Sequence, residues 1–392
     1  MSPVPRTKPY DGPPLFSYGF RPFFLGAALF AGLAVALWLP AYFGELTLPT
    51  AYPALDWHIH EMIYGYGAAA VAGFTLTAIP NWTGRLPLQG SKLIALASLW
   101  LAGRLAMAFS APIGAIPAAA IDLAFLALLI VFVARELGHG GQSHNRKIAA
   151  ALAILWLGDL VFHGEAIAQG YADTGVRIGL AALILLVALI GGRIIPSFTR
   201  NWLARMNPGP LPAPADRWDM AAIVLAALAL AAWIAAPNAP LVGWALIAAG
   251  LAHAARLARW RGWRAWRDRL VLVLHVAYLF APVGFVLTGL AALGLAPESA
   301  GVHAWAIGAV GGMTIAVMSR AALGHTGRAL IASPAVQAVY ALIFGAAIAR
   351  VYAALAPEHG FVALHVAAFA WIAAFFGFAV AYWRIFTGPR AG

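Results

Sequence analysis

Trp57-His58-Ile59-His60-Glu61-Met62 opens a stretch that runs almost wholly apolar to Ile79, so two imidazoles and a carboxylate stand at the mouth of a membrane-length helix. A spanning helix needs about 20 apolar residues. Working outward from this one, twelve such stretches start near Gly19, Trp57, Lys92, Gly114, Lys147, Thr174, Trp218, Ala239, Arg269, Val302, Ser333 and Phe361. Hydrophobic residues make up 63% of the chain and charged ones 10%, with a mean hydropathy of +0.83; soluble domains hold roughly 45–50% apolar residues. No ten-residue alternation of the outer-membrane barrel kind occurs. The predicted fold class is therefore an all-α polytopic membrane protein with about twelve transmembrane helices.

The formal net charge of +11 is distributed by loop. Arg256, Arg259, Arg261, Arg264, Arg267 and Arg269 crowd one loop, and Arg85, Arg146, Lys147, Arg200, Arg205, Arg217, Arg320, Arg328 and Arg384 fall in alternate loops or ends. The intervening loops carry Glu45, Asp56, Asp173, Glu298 and Glu358. This positive-inside bias predicts a bacterial cytoplasmic (inner) membrane protein with both termini, including a tail over 1–18, in the cytoplasm. It also argues against nucleic acid as a partner and for the lipid bilayer, with Trp260, Trp263 and Trp266 in the Arg-rich loop reading as an interfacial segment on anionic lipid. The prolines at 3, 5, 9, 13 and 14 do not follow signal-peptide order, so the first span is expected to be retained. The absence of cysteine excludes disulfides, thiolate-held iron–sulfur clusters and covalently attached haem.

Helix ends recur along the chain. Ala78-Ile79-Pro80-Asn81-Trp82-Thr83, Ile194-Ile195-Pro196-Ser197-Phe198-Thr199-Arg200 and Thr314-Ile315-Ala316-Val317-Met318-Ser319-Arg320 end the second, sixth and tenth spans, and Gly191-Gly192 and Gly311-Gly312 precede the last two in register. The spacing predicts one integral membrane domain built from three four-helix repeats, over 19–146, 147–260 and 261–392.

The histidines carry the functional reading. Ionisable groups at membrane depth cost roughly 2.5–3.5 kcal/mol each and tend to mark ion paths, proton relays or metal sites. Counted at about 1.5 Å per residue from the inner flanking charges, His163 and His303 share an outer level with His58, His60 and His365, while His253 and His275 lie nearer the inner face and His325 in an inner loop. His139 and His144 read as solvated loop residues. Neutral imidazole suits copper, iron and zinc, and imidazoles from two helices can hold a haem iron inside a bundle. His58 and His60, two apart, point to different sides of a helix, and no zincin spacing occurs. Glu61 is a candidate for proton handling, or for a hydrogen bond to His58, with which it shares a face. Asp122, Asp159 and Glu165 are the other acids in or near spans. Arg104 is the expected ion-pair partner of Asp122.

Phe16-Ser17-Tyr18-Gly19-Phe20-Arg21-Pro22-Phe23-Phe24, Trp57-His58-x-His60-Glu61-Met62, Pro80-Asn81-Trp82-Thr83-Gly84, Gly191-Gly192-Arg193-x-x-Pro196-x-Phe198-Thr199-Arg200-Asn201-Trp202, and Gly308-x-x-Gly311-Gly312-Met313 through Gly324-His325-Thr326-Gly327-Arg328 together resemble the NnrS family over nearly the whole chain. That resemblance implies a twelve-span membrane protein containing haem and copper and tied to bacterial nitric oxide metabolism and nitrosative stress. By motif match it implies His58, His60, His163, His275, His303 and His325 as cofactor or metal residues; His365 lies outside the motifs. A weaker, architectural resemblance is to the catalytic subunit of haem–copper oxidases and nitric oxide reductases, from which the chain departs by lacking histidine on its sixth and seventh spans.

The combined expectation is a protein that holds haem b and copper and binds nitric oxide in its outer half, with the reduction of nitric oxide to nitrous oxide as the enzymatic version. His58 and His303 are the expected haem ligands, His60 and His163 the copper ligands, and Glu61 the proton-handling group. Arg193, Arg200 and Arg320 are candidates to pair with haem propionates, and His275 to line a quinol pocket if quinol rather than a separate protein supplies electrons. A non-enzymatic nitric oxide or copper sensor or carrier and a small-molecule transporter are the alternatives.

Overall fold

The computed structural model describes residues 10–138 and 146–391; His139 and His144 lie outside them. Among the described residues, twelve helices are long and apolar enough to cross a membrane: α1 Phe20–Tyr42, α2 Ala54–Thr83, α3 Ser91–Ala108, α4 Ala115–Gly138, α5 Lys147–Gln169, α6 Thr174–Met206, α7 Arg217–Ala235, α8 Pro240–Arg259, α9 Arg269–Ala292, α10 Glu298–His325, α11 Pro334–Leu355 and α12 Pro357–Thr387. No strand occurs among the described residues. Large apolar side chains such as Leu101, Ile116, Leu228, Leu241 and Val380 are exposed, as lipid-facing helix surfaces require.

Most helices begin within a residue of the expected positions. The exceptions are α2, α10 and α12, which start three or four residues early. Pro53 and Pro297 stand at the N-caps of α2 and α10, and Pro357 opens α12. Proline suits a helix start because its missing N–H would have no intrahelical partner there. The first turn is thus set by proline, ahead of the apolar run.

Two spans are not α-helical throughout. A π segment runs over Glu61–Gly67 in α2 and another over Ala304–Gly311 in α10, each directly after a histidine, His60 and His303. Such wide turns occur mostly as single insertions inside α-helices and frequently at functional sites.

The chain forms two compact units. Unit 1 comprises Met1–Ala182, Ala321–Arg328 and Ala379–Gly392; unit 2 comprises Leu183–Arg320 and Ala329–Phe378. The core of unit 1 is aromatic, with Phe23, Phe24, Trp57, Tyr64, Phe125 and Phe162 buried. Small residues bring its helices close. A Cβ on Gly103 of α3 would lie 2.8 Å from Asp122 Oδ1 on α4, so only glycine lets these two helices approach near enough for the neighbouring Arg104 to reach Asp122.

Candidate metal centre

Four helices of unit 1 aim ionisable groups at one point. His60 and Glu61 come from the start of the π turn of α2, Arg104 from α3, Asp122 from α4, and Asp159 and His163 from successive turns of α5. Asp159 and His163 are four residues apart and therefore stack on one helix face. All six are sealed: His60 and Glu61 are fully buried, and none of the other four exceeds 4% exposure.

His60, Asp122, Asp159 and His163 each offer a donor atom within 4.8 Å of the other three. His60 Nε2 is 3.0 Å from Asp122 Oδ2 and 3.1 Å from Asp159 Oδ1. His163 Nε2 is 3.3 Å and 3.6 Å from the same two oxygens. An ion bonded at about 2.0–2.2 Å to four tetrahedral ligands needs ligand–ligand edges of ~3.3–3.6 Å by the same geometry, so the spacing is already close to that of a four-coordinate site.

The second nitrogen of each imidazole is held from outside the group. His60 Nδ1–H donates to Glu61 Oε1 at 2.9 Å, and Arg104 Nη1 donates to both Glu61 oxygens at 2.7 and 2.8 Å. Arg104 Nη2 pairs with Asp122 Oδ1. His163 Nδ1 lies 2.8 Å from the Tyr52 hydroxyl. With its proton on Nδ1, His60 turns the Nε2 lone pair toward two carboxylate oxygens. Acceptors facing acceptors in a dry interior call for protons or a cation between them. The charges agree: three carboxylates (Glu61, Asp122, Asp159) against one guanidinium leave two negative charges when the imidazoles are neutral, the complement of one divalent ion.

Tyr52 sits in the loop before α2 and is itself anchored. Ser110 gives its hydroxyl proton to the Met107 carbonyl at 3.0 Å, and its oxygen accepts from Thr50 Oγ1 at 3.0 Å and from the Ala51 N–H at 2.8 Å. Burial, then the negative charges of Asp122 and Asp159, push the Tyr52 phenol up, so it stays a neutral hydroxyl against His163.

The structure brings together three of the residues expected from the sequence, His60, His163 and Glu61, and adds Asp122, Asp159 and Tyr52. Arg104 and Asp122 do pair as expected, but Asp122 turns its other oxygen to the histidines. Glu61 hydrogen-bonds His60 where the helix widens into its π turn. His58 is not among the four donors, and its ring stacks on Trp38 at 4.0 Å between centroids. His325 stacks on Tyr18 at 5.5 Å, also in unit 1. In unit 2, His303 Nδ1 donates to the Ser299 carbonyl at 2.7 Å and His275 Nε2 lies 2.8 Å from Thr199 Oγ1. Arg200 donates to the Pro212 carbonyl at 2.7 Å, Arg320 lies over the Phe198 ring at 4.1 Å, and Arg193 is exposed. Asp159 could have been found from its i, i+4 spacing to His163; Asp122 and Tyr52 carry no such local signal.

A family model described as NnrS protein matches residues 14–390. The chain belongs to the NnrS family. Membership fits a role in nitric oxide metabolism, and the buried histidine–aspartate group agrees with the metal binding associated with NnrS proteins. No curated protein matches the chain.

Proposed function

We propose that this NnrS protein is a metalloprotein of the bacterial cytoplasmic membrane, with both termini in the cytoplasm, that binds nitric oxide at one divalent metal ion held by His60, Asp122, Asp159 and His163. The observation that carries this reading is the convergence of those four buried donor atoms inside unit 1, in a group that carries two negative charges when its imidazoles are neutral. Two imidazoles and two carboxylates fit copper in its divalent state, as well as zinc, iron(II) or manganese; they lack the sulfur that copper(I) prefers. When bound, copper supplies a redox-active centre to which nitric oxide can coordinate. The chain's own residues then hold geometry and charge. Glu61 and Tyr52 fix the ring orientations of His60 and His163, as groups that hydrogen-bond a metal-bound histidine's far nitrogen generally do, and the burial of the group excludes bulk water.

Haem b, held by His58 and His303, is part of this reading. His303 has its Nδ1–H tied to the Ser299 carbonyl, the way a liganding imidazole is commonly oriented. His58 packs face-on against Trp38, and His275 lies beside the Thr199 hydroxyl. In the enzymatic version of the reading, two nitric oxide molecules, two electrons and two protons yield nitrous oxide and water. One observation favours a non-enzymatic sensor or carrier instead: Glu61, the carboxylate expected to handle protons, is engaged by Arg104 and His60 together.

The test is metal analysis of the purified chain from cells supplied with haem, copper and zinc, with optical spectra of the dithionite-reduced protein before and after nitric oxide. Stoichiometric metal and a spectrum that shifts with nitric oxide support the reading; continued nitric oxide consumption with excess reductant makes the protein an enzyme, and a single stoichiometric uptake makes it a sensor or carrier. A protein without metal or haem sinks the reading in favour of transport.

A further inference from the structure

Arg104 does more than neutralise one aspartate. Its Nη1 holds both oxygens of Glu61, and its Nη2 holds Asp122 Oδ1. One guanidinium thereby joins the carboxylate that orients His60 to the spare oxygen of an aspartate whose other oxygen faces both histidines. The chain builds a slot for it. The Phe30 ring lies 5.7 Å from the guanidinium carbon. Beside both lies Gly65, where a Cβ would collide with Arg104 Nη1 and come within 2.9 Å of Phe30 and 3.0 Å of Glu61 Oε2.

Two consequences follow for an ion in the group. With Oδ1 held by Arg104, Asp122 offers an ion only Oδ2, so it withholds one of the oxygens that a harder ion, taking six or more, would need. Arg104 also removes one of three negative charges, leaving the pair that a single divalent ion cancels. We propose that Arg104 is the selectivity-determining residue of this centre: by keeping Asp122 monodentate and removing one negative charge, it favours an ion that takes mixed nitrogen and oxygen ligands, such as Zn2+ or Cu2+, over an oxygen-seeking, higher-coordinate ion such as Mn2+. The inference rests on the metal reading above and adds to it which residue decides among ions.

The experiment measures Zn2+ and Mn2+ affinities of the full-length protein in detergent by competition with a chromophoric chelator, for the unaltered chain, Arg104→Met and Arg104→Lys. Disturbing a group that positions a metal ligand shifts affinity by about 10–100-fold. Arg104→Met is expected to weaken Zn2+ by at least about tenfold and to weaken Mn2+ less or not at all, so the preference for Zn2+ narrows. If Arg104→Met does not fold, as judged by size exclusion, Arg104→Lys decides, since an ammonium keeps the charge but cannot bridge two carboxylates in the same plane; the preference must still narrow. An unaltered chain that binds neither ion overturns the metal reading itself. An unaltered chain that binds them, with a variant whose Zn2+ to Mn2+ preference is unchanged, overturns only the role of Arg104.

Discussion

Each compact unit buries an arginine among acid and histidine side chains, and the two clusters come out differently. In unit 2, Arg256 of α8 donates from Nε to Asp219 Oδ1 of α7 at 2.8 Å and from Nη1 to the Ala188 carbonyl and the Tyr278 hydroxyl, each at 2.9 Å. Because the Tyr278 oxygen accepts from Arg256, its proton goes to His253 Nδ1 at 2.7 Å, and His253 Nε2–H then donates to the Ala222 carbonyl at 3.2 Å. Every donor named here meets an acceptor, and the one aspartate is matched by the arginine beside it. In unit 1 a single arginine faces three carboxylates, and two imidazole nitrogens point at carboxylate oxygens. A buried histidine within a charge-balanced, fully bonded cluster is part of the scaffold. A pair of histidines left among surplus carboxylates is a place for a cation. The difference lies in the ratio of carboxylates to guanidinium groups, since each unit buries histidine.

Removing the histidines from each cluster should have opposite effects. His60→Leu with His163→Leu takes away two of four ligands and is expected to abolish stoichiometric metal in the purified protein. His253→Leu leaves the Tyr278 proton without its acceptor, which costs about 1–3 kcal/mol and should lower the melting temperature while metal content stays as in the unaltered chain. Loss of metal in the His253 variant, or its retention in the double variant, would erase the distinction between the clusters.

Tyr52→Phe removes the hydroxyl at His163 Nδ1 and nothing else, so metal affinity should fall by roughly tenfold, the low end for such outer partners, with little change in melting temperature. An unchanged affinity in a competition titration would confine the site to its four ligands.

The smallest effect concerns an ion pair at the edge of the unit 2 cluster. Asp216 caps α7 from outside the span, and the hydrogen bond from Arg259 holds its carboxyl well below the usual range. A carboxyl whose folded value is depressed stabilises the fold above its unfolded value of about 3.9 and loses that contribution as the pH falls toward the folded value. Asp216→Asn should therefore lower the melting temperature slightly near neutral pH, with the gap closing in strong acid. Because the side chain is exposed, added salt should shrink the gap as well. A gap that widens with acid would assign the stabilisation to something other than this carboxylate.

Much of this was legible in the chain itself. The twelve spans follow from runs of apolar residues, because a bilayer demands about 20 of them whatever the packing, and the boundaries that moved did so where a proline set the helix start. His60 and His163 stand out as imidazoles at membrane depth, where an ionisable group needs a reason to be there. Asp122 and Asp159 are equally deep, but a lone acid in a span reads first as half of an ion pair, and Arg104 offers Asp122 such a partner. Nothing in local spacing says that Asp122 serves the arginine with one oxygen and the histidines with the other.

Composition, charge distribution and motif spacing by themselves determined that the chain is a polytopic helical membrane protein of the NnrS kind with imidazoles inside its spans, since those properties depend on transfer from water to lipid and on residues close in sequence. Only the tertiary structure decided which of those imidazoles meet. His60 and His163 are 103 positions apart and come together because glycine lets α3 and α4 approach closely, a π turn sets Glu61 beside His60, and Arg104 ties α2 to α4. Such convergence depends on helix packing, side-chain direction and the charge balance of a dry interior, which no single segment of the chain carries.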